Sequence, residues 1–346
     1  HANHFIAQKH SSGEYWGGPF PIYHDAFSFL TRFVTHLAAP GFFFLMGMGM
    51  LLYSRSRGQL GWNKTKIISH FIVRGLILIA LQMLVILRSW QLSPGGWVLE
   101  IYIGVLFALG GTMIVGSLAL WLPPKYLIGF TMTTLLGVAF LIPDPNQWSG
   151  SFSTLERILL IPGGDLALWV NYPVIPWLPL VLFGMLFGHW LHENAAVAYR
   201  RAAWMGSAFL LAFLILRIAN GFGNIRPRAG DFWIDFLNPV KYPPSLTFIL
   251  LTLGINLLLL WGFSQSNESV SRYIQPLAAF GQVPLFFYVA HLFLYAGLGI
   301  WLTPAGTSLI KMYPFWLLGL LILYPLSLKY RRFKNTLTEN SFFQYL

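Results

Sequence analysis

Residues 246–263 read LTFILLTLGINLLLLWGF, a run of eighteen residues without a charged side chain. About nine mostly apolar runs of this kind, roughly 17 to 27 residues long, follow one another along the chain between short loops. A bilayer core about 30 Å thick needs roughly 20 apolar residues in an α-helix. Strands of a membrane barrel would show an alternation that these runs lack. The pattern therefore predicts an all-α, polytopic transmembrane helical bundle.

The composition also indicates a membrane protein. Hydrophobic residues make up 56% of the 346 residues and charged residues only 10%, whereas a soluble domain has about a quarter charged residues. We interpret the net charge of +11 as Lys and Arg at cytoplasmic helix ends rather than as a nucleic-acid surface. The chain contains no cysteine, which excludes disulfides, thiolate catalysis and Cys-ligated metals.

Positive charges in the loops predict how the spans are oriented. We place nine spans at about 27–53, 67–88, 97–121, 125–142, 174–191, 202–219, 244–263, 276–303 and 310–328. Lys and Arg then gather mainly on one face, so we expect a cytoplasmic C-terminus. The whole chain, 1–346, is expected to form one integral-membrane domain. Its first residues resemble the end of a helix, so we expect an N-terminal truncation that removes an initial transmembrane helix.

A stripe of polar residues marks the first of these spans. Its members, three or four residues apart, are Ser28, Arg32, Thr35 and His36. They share one helix face, and His24 and Asp25 stand at its outer end. Polar residues are expensive inside a bilayer, so the stripe predicts a proton-handling or anion-binding surface. The structural alternative is that Arg32 pairs with Asp25 while His36 hydrogen-bonds a neighbouring carbonyl.

Glycines follow this stripe along the same span. We expect the helix to break at Pro40-Gly41. Gly47 and Gly49 then permit either a close helix contact or the approach of a cofactor.

Further polar residues are candidates for a functional site. Glu100 opens a predicted span, where it either serves the site or caps the helix N-terminus. His291 lies mid-span with Tyr288 one turn before it, as a functional group or as a satisfied buried histidine. Lys241 and Tyr242 stand among prolines in a turn that suits a gate or a substrate rim, or that simply starts a helix.

Several well-known catalytic motifs do not occur in the sequence: a zinc signature, a phosphate-binding loop, a GxSxG elbow and a dinucleotide fingerprint. His189 and His192 have a spacing found in metal sites, but no third ligand accompanies them. We therefore expect no metal.

Four stretches, in this order along the chain, resemble a known family. They are residues 32–47 (RFVTHLAAPGFFFLMG), 172–177 (YPVIPW) with Gly184, 236–246 (FLNPVKYPPSL) and 280–291 (FGQVPLFFYVAH). The chain is similar to bacterial membrane proteins related to heparan-alpha-glucosaminide N-acetyltransferase, part of a broader transmembrane acyltransferase superfamily.

The resemblance implies a location in a bacterial inner membrane, a reaction and a set of roles. An acetyl or other acyl group would pass from cytosolic acetyl-CoA to an amino-sugar or glycan acceptor across the membrane. His24, oriented by Asp25, would be the first candidate base, with His36 and His291 as alternatives. His36 stands where the eukaryotic pattern has Asp.

Binding roles follow from the same expectation. The acyl-CoA phosphates would bind the basic loop 54–66, and the acyl arm would pass along the glycines toward the histidines. The expected donor-binding residues are Arg32, Arg55, Arg57, Lys64, Lys66, Gly47 and Gly49. Expected acceptor contacts are Lys241, Tyr242, Trp177 and Glu100. Arg32, together with an amide or Lys241, would also stabilise the thioester oxyanion.

Two other functions are compatible with the sequence. A transporter or flippase of a small anionic or glycosidic solute would use the same polar stripe as a relay. A non-catalytic membrane component would keep the stripe fully paired. For the acyltransferase, the expected partners are the lipid bilayer, acyl-CoA and a sugar or glycan, without nucleic acid, and the sequence admits a homo-oligomer.

Overall fold

Helices dominate the computed structural model, which describes residues 1–8, 13–92 and 98–337. In chain order they are α1 (Ala2–Phe5), α2 (Ala26–His36), α3 (Ala38–Gln59), α4 (Lys64–Leu81), α5 (Leu87–Gln91), α6 (Val105–Ser117), α7 (Pro124–Leu141), α8 (Thr154–Leu159), α9 (Val174–Glu193), α10 (Ala195–Ala219), α11 (Trp233–Phe236), α12 (Leu246–Ser264), α13 (Glu268–Gly281), α14 (Pro284–Leu302) and α15 (Leu309–Thr336). A π-helical turn, Gln82–Ile86, joins α4 to α5, and a 3₁₀ turn covers Pro145–Gln147. The strands are β1 (Ile101–Ile103), β2 (Gly163–Gly164) and β3 (Leu168–Val170).

Eight helical segments among the described residues are long and apolar enough to cross a bilayer. They are Ala26–Gln59, Lys64–Gln91, Pro124–Leu141, Val174–Glu193, Ala195–Ala219, Leu246–Ser264, Pro284–Leu302 and Leu309–Thr336. The predicted all-α polytopic fold is thereby confirmed.

The span predicted at 97–121 differs most from the structure. Its first residue lies outside the described residues, and the chain then forms β1 before α6 begins at Val105. The 13 residues of α6 give about 20 Å of helix, which is shorter than the hydrocarbon core. The length of the apolar run alone therefore overestimates the length of this helix.

Prolines account for two other differences in helix boundaries. The break expected at Pro40 lies three residues earlier, at Leu37, between α2 and α3. Pro40 has no N–H for the carbonyl of His36, one turn before it. Likewise, the span predicted at 276–303 divides into α13 and α14 at Pro284.

Short polar side chains fix where many helices start. The side chain before the first helical residue accepts a hydrogen bond from a backbone N–H of the first turn, which satisfies a donor that the helix itself leaves unpaired. These caps are Asp25, Asn63, Ser153, Asn194, Ser245, Asn267 and Ser308.

The described residues form two compact units. Unit A comprises residues 1–8, 83–92, 98–100 and 266–337, and unit B comprises residues 13–82 and 101–265. In unit A, α1 packs on α14, where the backbone of Phe5 approaches Gly299. The single domain expected from the sequence stays a prediction.

Helices α3 and α9 form the centre of unit B and run parallel. The ring of Phe43 stacks on Trp177 at a centroid distance of 4.8 Å. About two turns later in α3, the side chain of Leu51 lies next to Gly188 of α9. A Cβ on Gly47 would lie 2.0 Å from the carbonyl oxygen of Val181. Small residues thus let the two backbones touch, as is common in membrane helix pairs.

A small three-stranded sheet in the described part of unit B, in the order β1-β3-β2, precedes α9. Strands β1 and β3 are parallel, with Ile101 opposite Leu168, whereas β2 and β3 are antiparallel. The backbone N–H of Asn171 continues the pairing by donating to the carbonyl of Ile103 at 3.0 Å. The sheet therefore fixes the residues that lead into α9.

Candidate functional site

A buried ion pair between Glu14 and Arg32 lies at the start of the first span. The guanidinium donates from Nε to Oε1 at 2.9 Å and from Nη2 to Oε2 at 2.6 Å, which is the bidentate geometry of strong charge-assisted hydrogen bonds. The hydroxyl of Tyr23 also donates to Oε1, at 3.2 Å. Burial raises the pKa of Glu14, but the charge of Arg32 and its hydrogen bonds outweigh burial and hold that pKa well below its usual range. The carboxyl group is therefore ionised.

Backbone pairing holds Glu14 in this position. Its carbonyl accepts hydrogen bonds from the N–H groups of Lys241 and Tyr242, each at 2.9 Å, and the N–H of Trp16 donates to the carbonyl of Tyr242 at 2.8 Å. The indole of Trp16 is fully buried and donates to the carbonyl of Pro162 at 2.8 Å. The chain before α2 is thus fixed against the loop before α12.

His36 lies one helical turn after Arg32, on the same face of α2. Its Nε2 is 3.4 Å from Oε1 of Glu14, and its ring is 1% exposed. This nitrogen has no partner in hydrogen-bond geometry among the described residues. His36 is therefore held beside the Glu14 carboxylate inside the protein.

Lys241 and Tyr242 bring a second positive charge to this site. Both side chains are buried, and Nζ of Lys241 lies 5.1 Å from the centre of the Tyr242 ring. Burial lowers the pKa of Lys241. No carboxylate of the described residues lies within 4 Å of its ammonium group. Together with the ion pair and His36, these residues form what we call the Glu14 cluster, namely Glu14, Arg32, His36, Lys241 and Tyr242.

Aromatic and amide side chains border the Glu14 cluster. The indole N–H of Trp169 donates to Oδ1 of Asn171 at 2.8 Å and to the hydroxyl of Tyr15 at 3.0 Å. Nδ2 of Asn171 donates to the hydroxyl of Tyr102 at 2.9 Å, and Tyr15 itself donates to Oδ1 of Asn171. Burial raises the pKa of Tyr15, so its hydroxyl keeps its proton.

Trp177, expected to contact the acceptor, is fully buried in the first turns of α9. Its ring lies 5.0 Å from that of Tyr172, which in turn meets Tyr242 edge-on at 5.3 Å. Trp177 is therefore linked to the Glu14 cluster through one intervening ring.

A basic cavity of about 350 Å³ lies at the opposite end of α3. Its lining residues are Ser54, Arg55, Gly58, Gln59, Trp62, Lys64, Ile67, Leu120, Trp121 and His192. Three of them are basic and two are tryptophans, which suits a ligand that combines negative charge with a flat ring system.

Arg57 and Lys66, also expected to bind the donor, do not line this cavity. Both pack on the ring of Trp62, with Lys66 Nζ at 4.1 Å and the Arg57 guanidinium at 5.4 Å. They can support the cavity wall by holding Trp62 in place.

His24 and Asp25 lie at the exposed start of α2. Asp25 caps the helix by accepting a hydrogen bond from the N–H of Ser28 at 2.8 Å. Arg32 takes Glu14 as its carboxylate partner, so the Arg32–Asp25 pair that we considered as a structural alternative is wrong.

Glu100 and the glycines of α3 take structural positions that the sequence left open. Glu100 is exposed before β1 and does not cap α6, whose first turn follows Gly104. Gly47 makes the close helix contact with Val181. A Cβ added to Gly49, by contrast, would meet nothing within 4 Å among the described residues beyond its own stretch of helix.

His291 lies in unit A, in the middle of α14. Its Nε2 is 2.6 Å from Nδ1 of His1, and its Nδ1 is 2.9 Å from the carbonyl oxygen of Phe287. Its ring also meets that of Tyr288, at a centroid distance of 5.5 Å. Among the described residues no group of three or more His, Cys, Asp or Glu side chains could hold a metal ion.

Sequence reasoning missed Glu14, the residue at the centre of the site. One signal was present: Glu14 is one of only 11 acidic residues in the chain, and it stands directly before Tyr15 and Trp16. An acid among aromatics near a span is expensive to bury without a partner.

The fold and this site define an integral-membrane helical protein with a buried charge cluster at one end of its central helix and a basic cavity at the other. The model of the family described as heparan-alpha-glucosaminide N-acetyltransferase, catalytic, matches residues 20–217. Because the match covers more than half of the chain, the chain belongs to this family of membrane acetyltransferases, and the resemblance seen in the sequence is confirmed. The comparison with curated proteins gives no match.

The matched residues include part of the site. Arg32, His36 and every lining residue of the basic cavity fall within 20–217, whereas Glu14, Lys241, Tyr242 and His291 fall outside that range.

Proposed function

We propose that the protein transfers an acetyl or longer acyl group from cytoplasmic acyl-CoA to the amine of an amino sugar or glycan on the outer side of the membrane. The observation that carries this proposal is that the family match includes both ends of α3, with His36 beside one end and the basic cavity at the other. One helix thus links a candidate donor site with a candidate reaction site.

The basic cavity is the proposed donor site. Arg55 and Lys64 would bind the phosphates of the acyl-CoA, with His192 as a further hydrogen-bonding group. Trp62 and Trp121 would pack against its adenine ring. The volume of about 350 Å³ lies within the range of small-molecule sites. This assignment places the loop between α3 and α4 on the cytoplasmic side, as the positive-inside rule predicts.

The Glu14 cluster is the proposed reaction site, with His36 as the base. The acceptor nitrogen attacks the thioester carbonyl carbon and gives its proton to the imidazole. The C–S bond then breaks, and the thiolate of CoA leaves with that proton. Glu14, 3.4 Å from Nε2, would keep a proton on that nitrogen and stabilise the imidazolium, which leaves Nδ1 as the basic nitrogen.

Shortened donors test this arrangement. From Ala38 to Arg55, α3 rises about 26 Å, so only a long donor can contact the cavity while its thioester reaches the Glu14 cluster. In protein reconstituted in nanodiscs, Arg55→Gln should raise the KM for acetyl-CoA about tenfold, equivalent to about 1.4 kcal/mol. It should leave transfer from S-acetyl-pantetheine, which lacks the nucleotide, unchanged.

Arg200→Gln is the matched control, because Arg200 is an exposed arginine of α10 that does not line the cavity. An equal loss with both donors would contradict a nucleotide site in the cavity. Movement of unmodified sugar into vesicles, without any acetylated product, would favour the transporter.

A further inference from the structure

Two neighbouring tyrosines of unit B have opposite surroundings. The rings of Tyr15 and Tyr242 lie 5.1 Å apart. Tyr15 is bound by neutral partners, Asn171 and Trp169, whereas Tyr242 lies against the ammonium group of Lys241. When the surroundings of two chemically identical groups give them different pKa values, the two groups often have different roles in a reaction.

Groups from several elements face Tyr242. They are Lys241 from its own loop, Arg32 from α2, Glu14 and Tyr15 from the segment before α2, and Tyr172 from the turn after β3. Burial raises the pKa of Tyr242, but the positive charges of Lys241 and Arg32 outweigh burial and bring that pKa below its ordinary value. Tyr242 is therefore the more acidic of the two hydroxyls and the stronger hydrogen-bond donor.

The position of Tyr242 is fixed by backbone contacts. Its N–H and that of Lys241 both bond the carbonyl of Glu14 at 2.9 Å, the residue whose side chain holds Arg32 and lies beside His36. The backbone of Tyr242 is thus fixed against Glu14, and its buried side chain belongs to the same cluster as the proposed base, so little reorganisation is needed for the hydroxyl to act as a donor.

We propose that the hydroxyl of Tyr242, supported by Lys241, is a catalytic hydrogen-bond donor to the thioester carbonyl oxygen while that oxygen carries negative charge. This inference rests on the proposed acyl transfer. As the acceptor nitrogen bonds to the carbonyl carbon, the π electrons move onto the oxygen. When the C–S bond breaks they return to re-form the carbonyl, so Tyr242 keeps its proton throughout.

Removing the hydroxyl is the first test. Tyr242→Phe should lower kcat for acetyl transfer about 10²- to 10³-fold, as loss of one oxyanion donor does elsewhere, with little change in KM. Tyr295→Phe is the control: Tyr295 is also a buried residue, and its hydroxyl donates to the carbonyl of Trp316 at 2.9 Å, but it is not part of the Glu14 cluster. That variant should keep the wild-type kcat.

The pH profile separates a catalytic donor from a structural one. Only the protonated hydroxyl donates, so kcat should fall as pH rises through the pKa of Tyr242. This fall forms the alkaline limb of the pH profile. Lys241→Met removes the adjacent charge and should move this alkaline limb to higher pH, while Lys241→Arg should leave it in place. A purely structural hydroxyl would change stability but would not move the limb.

A second variant keeps the test decisive if Tyr242→Phe fails to fold. Replacing Tyr242 by 2,3-difluorotyrosine retains shape and donor but makes the hydroxyl more acidic, so the alkaline limb should move to lower pH. If the alkaline limb of the kcat profile does not move, or if Tyr242→Phe keeps at least half the wild-type kcat, this inference is overturned but the proposed function is not. Folded wild-type protein without any acetyl transfer from acetyl-CoA overturns the proposed function itself.

Discussion

Glu14 and Arg32 stabilise each other's charge in an interior that could hold neither alone. Removing one partner of a buried ion pair leaves the other unpaired, which typically costs 3–5 kcal/mol. Because the Arg32 side chain is 27% exposed, we expect Glu14→Gln to lower the free energy of unfolding by about 3 kcal/mol, the lower end of that range. Denaturant titration of the detergent-solubilised protein measures this change.

The matched control removes both charges. Glu14→Gln combined with Arg32→Met should regain part of the lost stability, since no unpaired charge remains. A double variant no more stable than Glu14→Gln alone would contradict this account of the pair.

The same pair predicts a pH dependence. The pKa of Glu14 is lower in the folded protein than in the unfolded chain, so its stabilisation is fully present above the unfolded value of about 4.3. It is lost only as pH falls through the folded pKa. Between pH 7.5 and 5.5 the difference in unfolding free energy between wild type and Glu14→Gln should therefore stay constant. If this difference in unfolding free energy became smaller as pH fell from 7.5 to 5.5, Glu14 would titrate near neutrality and the account would be contradicted.

The choice of base is tested one histidine at a time. His36→Ala should lower kcat about 10²- to 10⁴-fold, the usual contribution of a general base, with normal thermal unfolding. His24→Ala and His291→Ala provide the comparison, because His24 is exposed and His291 lies in unit A. A larger loss of kcat in either of these variants would assign the base to that residue instead.

At the scale of elements, the contact between α3 and α9 decides how tightly the centre of unit B packs. A Cβ at position 47 would overlap the backbone of Val181, and overpacking typically costs 1–3 kcal/mol. We expect Gly47→Ala to lower the unfolding free energy by about this amount. Gly49→Ala is the control, since position 49 is open, and it should be neutral or slightly stabilising in a helix. Equal effects of the two variants would contradict the packing.

Much of the helical architecture could be predicted because it depends on local patterns. Apolar length predicts spans such as α9 and α12, and a single Ser, Asp or Asn predicts where several helices begin. The β1 segment and the short α6 could not be predicted. Residues 101–103 are as apolar as a span, and their pairing with 168–170 depends on a partner more than 60 residues away.

The site was predictable only in part, for a similar reason. The spacing of Arg32 and His36 showed that they share a helix face. Their common partner, Glu14, lies outside that helix and is positioned by backbone contacts with the loop at 241–242. Periodicity carries no information about such contacts. The basic cavity was anticipated as a charged loop, but its two tryptophans and His192 come from three separate parts of the chain.

At the scale of the whole molecule, the absence of cysteine from the chain makes its orientation measurable. Single cysteines at Ser151, in the loop after α7, and at Asn335, near the end of α15, would both be exposed. In right-side-out vesicles, a membrane-impermeant maleimide should label Ser151→Cys at once and Asn335→Cys only after permeabilisation. The reverse pattern would place the C-terminus outside.

The central claim is that an acyl group crosses from a donor on one side of the membrane to an acceptor on the other. The measurement that tests it most directly uses sealed proteoliposomes oriented with the basic cavity inward, radiolabelled acetyl-CoA enclosed and glucosamine outside. We predict labelled N-acetylglucosamine in the external medium, at a rate reduced at least a hundredfold by His36→Ala. Folded protein that yields no acetylated product, or that yields it only when donor and acceptor share one compartment, would contradict the account.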